Sequence, residues 1–342
     1  MNEITTIGLD LAKSVFQVHG ADAQGNPVVR RKLRRADVTK FFARLPPCPV
    51  GMEACGSAHH WARVIADLGH DVRLVPPAYV KPFVKRGKTD AADAEAICEA
   101  VGRPSMRFVP VKSEAQQAAA MVMKTRELLI GQRTRTTNAL RAHLAELGIV
   151  AAKATKGLGE LIAVVRGEDE RLPASARFAL SILADEIEAI DRRIEALDER
   201  ITAAARVDET ARRLMTIPGI GPIIAATIRA RVPDPSVFRS GRHFAAWLGL
   251  TPKPHSSGGK ERLGGISKMG DAALRSLLVV GATAVMRLAA QGKKAPVWLV
   301  ALMGRRPFKV AAVASANKMA RVVRAILIKG GVHRRPDAAM PG

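Results

Sequence analysis

"ITTIGLDLAKSVFQVHGADAQGNPVVRRKLR" (residues 4–34) sets the class of the fold. Its first nine residues read as a buried strand, and Asp10 stands where that strand ends. The remainder, from Val15, reads as two strands around the turn residues Gly25, Asn26 and Pro27. Downstream the pattern alternates. Residues 37–45 form a short helix. "CPVGMEACG" (48–56) is an apolar strand closed by Gly56, with Glu53 at its end. "SAHHWARVIADLGH" (57–70) is a helix from Ser57 to Gly69, and "DVRLVPP" (71–77) is another strand. A helix follows over Asp90–Val101. Strands and helices in turn indicate an α/β fold, with carboxylates recurring where strands end.

The chain has 342 residues, enough for two or three domains with real cores. A hydrophobic share of 48% excludes a disordered polymer. The formal charge is +23, and it is uneven. Residues 1–110 carry a net +5, residues 111–167 also +5, residues 168–209 a net −6, and residues 210–342 a net +19. Such an excess calls for a polyanion, nucleic acid by default, and puts its main footprint in the C-terminal third. Cys48, Cys55 and Cys98 lack metal-ligand spacing and fit a reducing cytosol, so a cytoplasmic, nucleoid-associated protein is expected. "MNEITTIGLD" lacks a basic n-region, and no uninterrupted apolar run reaches the ~18 residues of a membrane span. With one tyrosine in the chain, binding of single strands mainly by base stacking is disfavoured.

From about 112 to 150 the chain turns helical and basic, with Lys124, Arg126, Arg133, Arg135 and Arg141. After Pro173 a long helix places Leu180, Leu183, Ile187, Ile190, Ile194, Leu197, Ile201 and Ala204 on a heptad seam. That seam fits an antiparallel helical hairpin within the chain and an intermolecular coiled coil equally well. The expected division is 1–110, a helical or coiled-coil region 111–209, a mostly α C-terminal domain 210–330, and a mobile tail 331–342.

"KPFVKRGKTDAADAEAI" (81–97) runs a basic approach, including Lys88, into Asp90 and Asp93. A spacing of three puts both carboxylates on one helix face. Alone, each of Asp10, Glu53, Asp90 and Asp93 is more often a turn, cap or helix-dipole residue than a ligand. Together, acids at strand ends and on one helix face repel each other unless a cation lies between them. Mg2+ (or Mn2+) takes oxygen ligands and keeps positions open for phosphate oxygens. Paired ions can clamp the attacking and leaving oxygens of a phosphodiester. The basic approach would then hold the nucleic-acid backbone.

"HSSGGKERLGGISKMG" (255–270) reads as a flexible loop whose amides, with Lys260, Arg262 and Lys268, can cradle phosphate. An ordinary surface loop explains it equally well. "IPGIGP" (217–222) fits either a helix-hairpin-helix turn on a phosphate or a packing turn between helices. The last helix offers Lys309, Lys318, Arg321 and Arg324 to backbone phosphates. Tyr79 has no Arg/His/Arg constellation around it and is assigned to packing.

"IGLDLAKSVFQVHG", "MEACG" and "KTDAADAEAI" resemble the DEDD-type insertion-sequence transposases, whose N-terminal half is like ribonuclease H and the Holliday-junction resolvases. "IPGIGPIIAATIRA" and "FAAWLGLTPKPHSSGGKERLGGISKMGDAALR" carry the resemblance, in the family's order, through most of the chain. It implies a metal-binding tetrad of Asp10, Glu53, Asp90 and Asp93. It also implies a nucleophilic serine directly before a glycine, which falls on Ser257, with Ser256 adjacent. His255 is a poor candidate for its base. The resemblance further implies a recombinase that forms a covalent phosphoserine link to DNA, guided by an element-encoded bridge RNA. Acids and serine would come from different protomers of a homo-oligomer, a dimer or tetramer. Two other classes stay open: a metal-dependent, Holliday-resolvase-like nuclease acting through water, and a non-catalytic nucleic-acid-binding protein.

Overall fold

The computed structural model describes residues 3–85, 87, 89–292 and 296–334. Lys88 and residues 335–342 of the expected tail lie outside them. The chain divides into two compact units, Met1–Gln117 and Ala118–Gly342.

The first unit is a mixed sheet with helices on its faces. Strands β1 (Thr6–Leu11), β2 (Val15–Ala21) and β3 (Pro27–Arg34) form an antiparallel meander, and β4 (Pro49–Glu53) and β5 (Asp71–Val75) add in parallel. The strand order is β3-β2-β1-β4-β5. Alternation decides which face each side chain takes. Ile7 and Leu9 of β1, Phe16 and Val18 of β2, and Val50 and Met52 of β4 are all buried on one face. They pack with Trp61 and Ile65 of α2 (Ala58–Ala66), and with Val38 and Phe42 of α1 (Val38–Phe42). Burying each large apolar side chain contributes about 1.5–3 kcal/mol.

The opposite face receives α4 (Asp90–Val101), after the single-turn α3 (Pro77–Val80). Thr89 starts α4 by accepting the Ala92 amide on its hydroxyl at 3.2 Å. The buried face of α4 is mostly small: Ala94, Ala96, Cys98 and Ala100 beside Ile97 and Val101. The strands under it answer with glycine. Gly8 and Gly51 are register partners on β1 and β4. A Cβ on Gly8 would lie 2.1 Å from the Ala94 carbonyl oxygen and 2.4 Å from the Cys98 nitrogen. The helix therefore rests directly on the sheet backbone.

The second unit is almost entirely helical. It contains α5 (Glu114–Glu146) from Ala118 onward, α6 (Thr155–Arg166), α7 (Ala174–Val207), α8 (Glu209–Met215), α9 (Pro222–Arg231) and α10 (Gly241–Trp247). A hairpin of β6 (Pro252–Pro254) and β7 (Leu263–Ile266) precedes α11 (Ala272–Ala290), α12 (Val297–Arg305) and α13 (Phe308–Lys329). The heptad seam resolves as an antiparallel pair within one chain. Arg126 of α5 makes a forked ion pair with Asp198 of α7, and Arg133 does the same with Asp191. The two ladders run in opposite directions, seven residues per step. Leu140 and Leu144 join Leu180 and Ile187 at one end, while Met123 joins Ile201 at the other.

The turn at 217–222 packs against α11. Gly219 has a φ of +87°, and a Cβ there would lie 2.6 Å from the Gly281 carbonyl oxygen. Close helix approach thus accounts for Gly219. Among the described residues α11 alone is long and apolar enough to cross a membrane, with a mean hydropathy of 1.5. The expectation of no such segment counted uninterrupted apolar residues, whereas α11 reaches this average with Arg275 and Arg287 inside it. Its Leu274, Leu278, Ala282 and Met286 are fully buried in the unit, but only 28% of its apolar window is buried, and Val280 and Leu288 are exposed.

Candidate active site

Asp10 lies two residues beyond Gly8 on β1, and Glu53 two beyond Gly51 on β4. Both therefore share the face that α4 covers. The parallel register pairs Leu9 with Met52, which sets Asp10 and Glu53 at one level. The first turn of α4 brings Asp90 and Asp93 to the same end. The four acids, 83 positions apart at their extremes, thus meet electrostatically. The Asp10 carboxyl is pushed up to about 6, first by burial and then by repulsion from Asp93, Asp90 and Glu53, against a lowering hydrogen bond at Leu11.

Thr89 performs the capping that Asp90 was an alternative candidate for, so Asp90 stands as the first residue inside the helix. Both aspartates still gain from the helix dipole, worth about 0.3–1 kcal/mol each. That gain does not explain placing them beside a half-buried third carboxylate whose ionisation they oppose. A hard cation among them would turn that repulsion into attraction. The donor set, four carboxylates without thiolate or imidazole, suits Mg2+ or Mn2+. Among the described residues no three His, Cys, Asp or Glu side chains are drawn together closely enough to enclose an ion.

Ser257 lies in the second unit. The segment expected to be a flexible loop is the tip of the β6–β7 hairpin. Ser257 and Lys260 bridge across a two-residue turn, and Gly258 and Gly259 take φ values of 56° and 75°. Positive φ at both central positions is the requirement of a tight hairpin turn, met by glycine. The His255 amide donates to the Arg262 carbonyl at 2.7 Å, which extends the ladder. The Ser256 hydroxyl accepts the Arg262 amide at 3.3 Å. The Ser257 hydroxyl has no hydrogen-bond partner among the described residues and is exposed at the tip. A Cβ on Gly264 would lie 2.9 Å from the His255 ring, so that imidazole covers Gly264 across the hairpin.

Lys260, Arg262 and Lys268 are exposed on or just beyond this hairpin. Lys268 has a φ of 56°, unusual for a residue other than glycine. Lys309 and Arg321 are exposed on α13. Lys318 sits 4.0 Å from the Trp298 ring centre, and Arg324 donates to the Phe238 carbonyl at 2.7 Å. Arg324 thereby ties α13 to the loop between α9 and α10. Two cations escaped sequence reasoning. Arg275 and Arg287 line a groove of about 680 Å³ with Lys268, Lys309 and Ile266. Arg275 holds the hairpin base by donating to the Leu248 and Met269 carbonyls. Both lie on α11, whose strong apolarity conceals a basic edge.

Residues 7–149 match the family model for DEDD transposases of the IS110 type, and residues 211–295 match that for transposases of the IS116/IS110/IS902 family. The chain is 40% identical to the transposase for insertion sequence element IS1328 of Yersinia enterocolitica, over 97% of this chain and 99% of that protein. It is 38% identical to the transposase for insertion sequence element IS1111A of Coxiella burnetii, over 98% and 92% respectively. A Pseudomonas aeruginosa protein described as a "Probable family 20 transposase" is 49% identical over 97% of this chain and 99% of its own length. These similarities extend through both the unit that holds the carboxylates and the unit that holds the hairpin. The chain belongs to the IS110/IS116 family of insertion-sequence transposases.

Proposed function

We propose that this transposase recombines DNA through two sets of residues: a cation site of Asp10, Glu53, Asp90 and Asp93, and a nucleophile, Ser257. The observation that carries the reading is the gathering of the four acids at one end of the sheet, where burial first and then repulsion from Asp93, Asp90 and Glu53 lift Asp10 to about 6. We read the sheet as ribonuclease-H- or resolvase-like. Its mixed order β3-β2-β1-β4-β5 supports that, with the acids at the ends of β1 and β4 and under the start of α4.

A bound divalent cation supplies positive charge to phosphate oxygens during strand cleavage and rejoining. The protein's own groups do the rest. Lys260 and Arg262 flank the hairpin tip and hold the backbone phosphate. The Ser257 oxygen attacks phosphorus, an Oγ–P bond forms, and the bond to one sugar oxygen breaks, with that oxygen taking up a proton. The reverse attack by a sugar hydroxyl from another strand rejoins the DNA and frees the serine. Ser256 is the weaker nucleophile in this reading because its hydroxyl is occupied by the Arg262 amide.

Sequence choice is assigned to a bridge RNA, with the protein gripping backbone and shape, as in other RNA-guided systems. The +19 charge of residues 210–342 supports this. So does the scarcity of aromatics to stack on bases. In this reading the acids and Ser257 of one site come from different protomers. The heptad of α7 is already paired inside the chain, so subunits associate through other surfaces.

The test is strand exchange by Asp10→Asn, Glu53→Gln, Asp90→Asn and Asp93→Asn, with Mg2+ and RNA present. Each variant should fold and bind DNA but fail to exchange strands. Full Mg2+-dependent activity in all four would reject the site. Activity in RNA-free protein would reject the guide.

A further inference from the structure

On β2, Gln17 is the register partner of Asp10 across the antiparallel ladder. Directly opposed residues of such a pair present their side chains on the same face, with Cβ atoms about 4.5–5.5 Å apart. Gln17 therefore stands on the α4 side of the sheet, beside Asp10 and on the flank away from Glu53. Three adjacent strands then carry one oxygen-bearing side chain each at one level: Glu53 on β4, Asp10 on β1, Gln17 on β2.

Gln17 is only 7% exposed, and its Oε1 is buried without a hydrogen-bond partner. An unpartnered buried carbonyl oxygen is destabilising. On its own face the other register partner of Gln17 is Lys32 of β3, which does not satisfy that oxygen. An amide oxygen is a hard, neutral ligand of the kind divalent cations accept beside carboxylates. It adds a donor without adding a fifth negative charge to a cluster already in repulsion.

We propose that Gln17 is the fifth oxygen donor of the cation site, its Oε1 facing the ion that Asp10, Glu53, Asp90 and Asp93 hold. The inference rests on the reading of those acids as a cation site. It assigns a ligand that the four-acid motif does not contain, and places it on a strand where that motif has no member.

The experiment is Mn2+ titration of the full chain by calorimetry and by electron paramagnetic resonance, without nucleic acid. The variants are Gln17→Met, Gln17→Glu and Asp93→Asn, with melting curves in chelator as the folding control. Gln17→Met keeps the length and removes the oxygen, so Mn2+ should bind about tenfold more weakly at unchanged chelated stability. Gln17→Glu restores an oxygen with charge, so Mn2+ should bind at least as tightly as in the wild type. Equal affinity in wild type and Gln17→Met, with Asp93→Asn impaired, overturns the role of Gln17 and leaves the four acids standing. No Mn2+ binding by the wild type overturns the cation reading beneath it. Should Gln17→Met not fold, Gln17→Glu decides: weaker binding than wild type sinks the assignment.

Discussion

Replacing Gly8 by alanine should unseat the helix that carries half of the acid cluster. The new Cβ would lie 2.1 Å from the Ala94 carbonyl oxygen, 2.4 Å from the Cys98 nitrogen and 2.8 Å from the Cys98 Cβ. Ordinary contact begins near 3.4 Å, so the shortfall is about 1.3 Å, and two of the three atoms are helix backbone that no rotamer change can move. The helix α4 must retreat from β1 by about 1 Å. Overpacking of this kind costs about 1–3 kcal/mol, and backbone collision puts Gly8→Ala at the upper end. The retreat lifts Asp90 and Asp93 from Asp10 and Glu53, and misplacement of about 1 Å can cost about 10²-fold in rate. Gly51→Ala is the internal comparison. Its Cβ would lie 2.8 Å from the Val101 Cβ, which the helix backbone fixes, and 3.1 Å from γ-carbons of Ile97 and Val101, which can turn away, so the collision is milder than at Gly8. Urea unfolding and Mn2+ affinity, measured on both variants, should show Gly8→Ala the more damaged in each. Wild-type stability in Gly8→Ala, or greater damage from Gly51→Ala, would refute the seating of α4 on β1.

Asp10 should make the chelated protein pH-sensitive. Its folded-state value of about 6 exceeds the ordinary 3.8, so the unfolded chain releases this proton first. Stability is therefore fully present below pH 4 and is lost as pH rises through 6, by roughly 2–3 kcal/mol. Asp10→Asn should remove that loss, melting above wild type at pH 8 and with it at pH 4. Saturating Mg2+ should erase the difference. Asp271→Ala should destabilise the second unit by about 2–4 kcal/mol in chemical denaturation. Asp271 both accepts the Leu274 amide at 2.8 Å and pairs with the nearly buried Arg231. Lys260→Ala, Arg262→Ala and Lys309→Ala should each lower the slope of log affinity against log salt by about one where the residue contacts a phosphate. Point variants are required, because Ala316, Met319, Ala320 and Val323 bind α13 into the core and its removal would unfold the unit.

The apolar runs around Ile7 and Leu9 and around Val50 and Met52 made the strands legible, and the alanine-rich run from Asp90 to Val101 made α4 legible. The grouping of the acids was legible as spacing and strand ends, but what brings them together was not. Gly8 and Gly51 read as ordinary strand residues until α4 is laid over them. The heptad of α7 was visible, yet its periodicity is the same within a chain and between chains. The distinguishing signal was Arg126 and Arg133 on α5 against Asp198 and Asp191 on α7, two ladders of seven running in opposite senses. The Gly258-Gly259 pair is a hairpin signal, but its flanks, Pro252–Pro254 and the glycines of β7, lack the β-branched and aromatic residues that announce strands. Arg275 and Arg287 were hidden by the apolarity of α11.

The central claim joins the carboxylates to Ser257 in one reaction, and a trapped DNA adduct tests it most directly. The full chain, with its RNA and Mg2+, is incubated with a nicked DNA substrate, denatured, digested and mapped by mass spectrometry. The account predicts DNA linked to Ser257, no adduct in Ser257→Ala or Asp10→Asn, and an undiminished adduct in Ser256→Ala. A link to Ser256 or Tyr79, or cleavage without an adduct at any time, would contradict it.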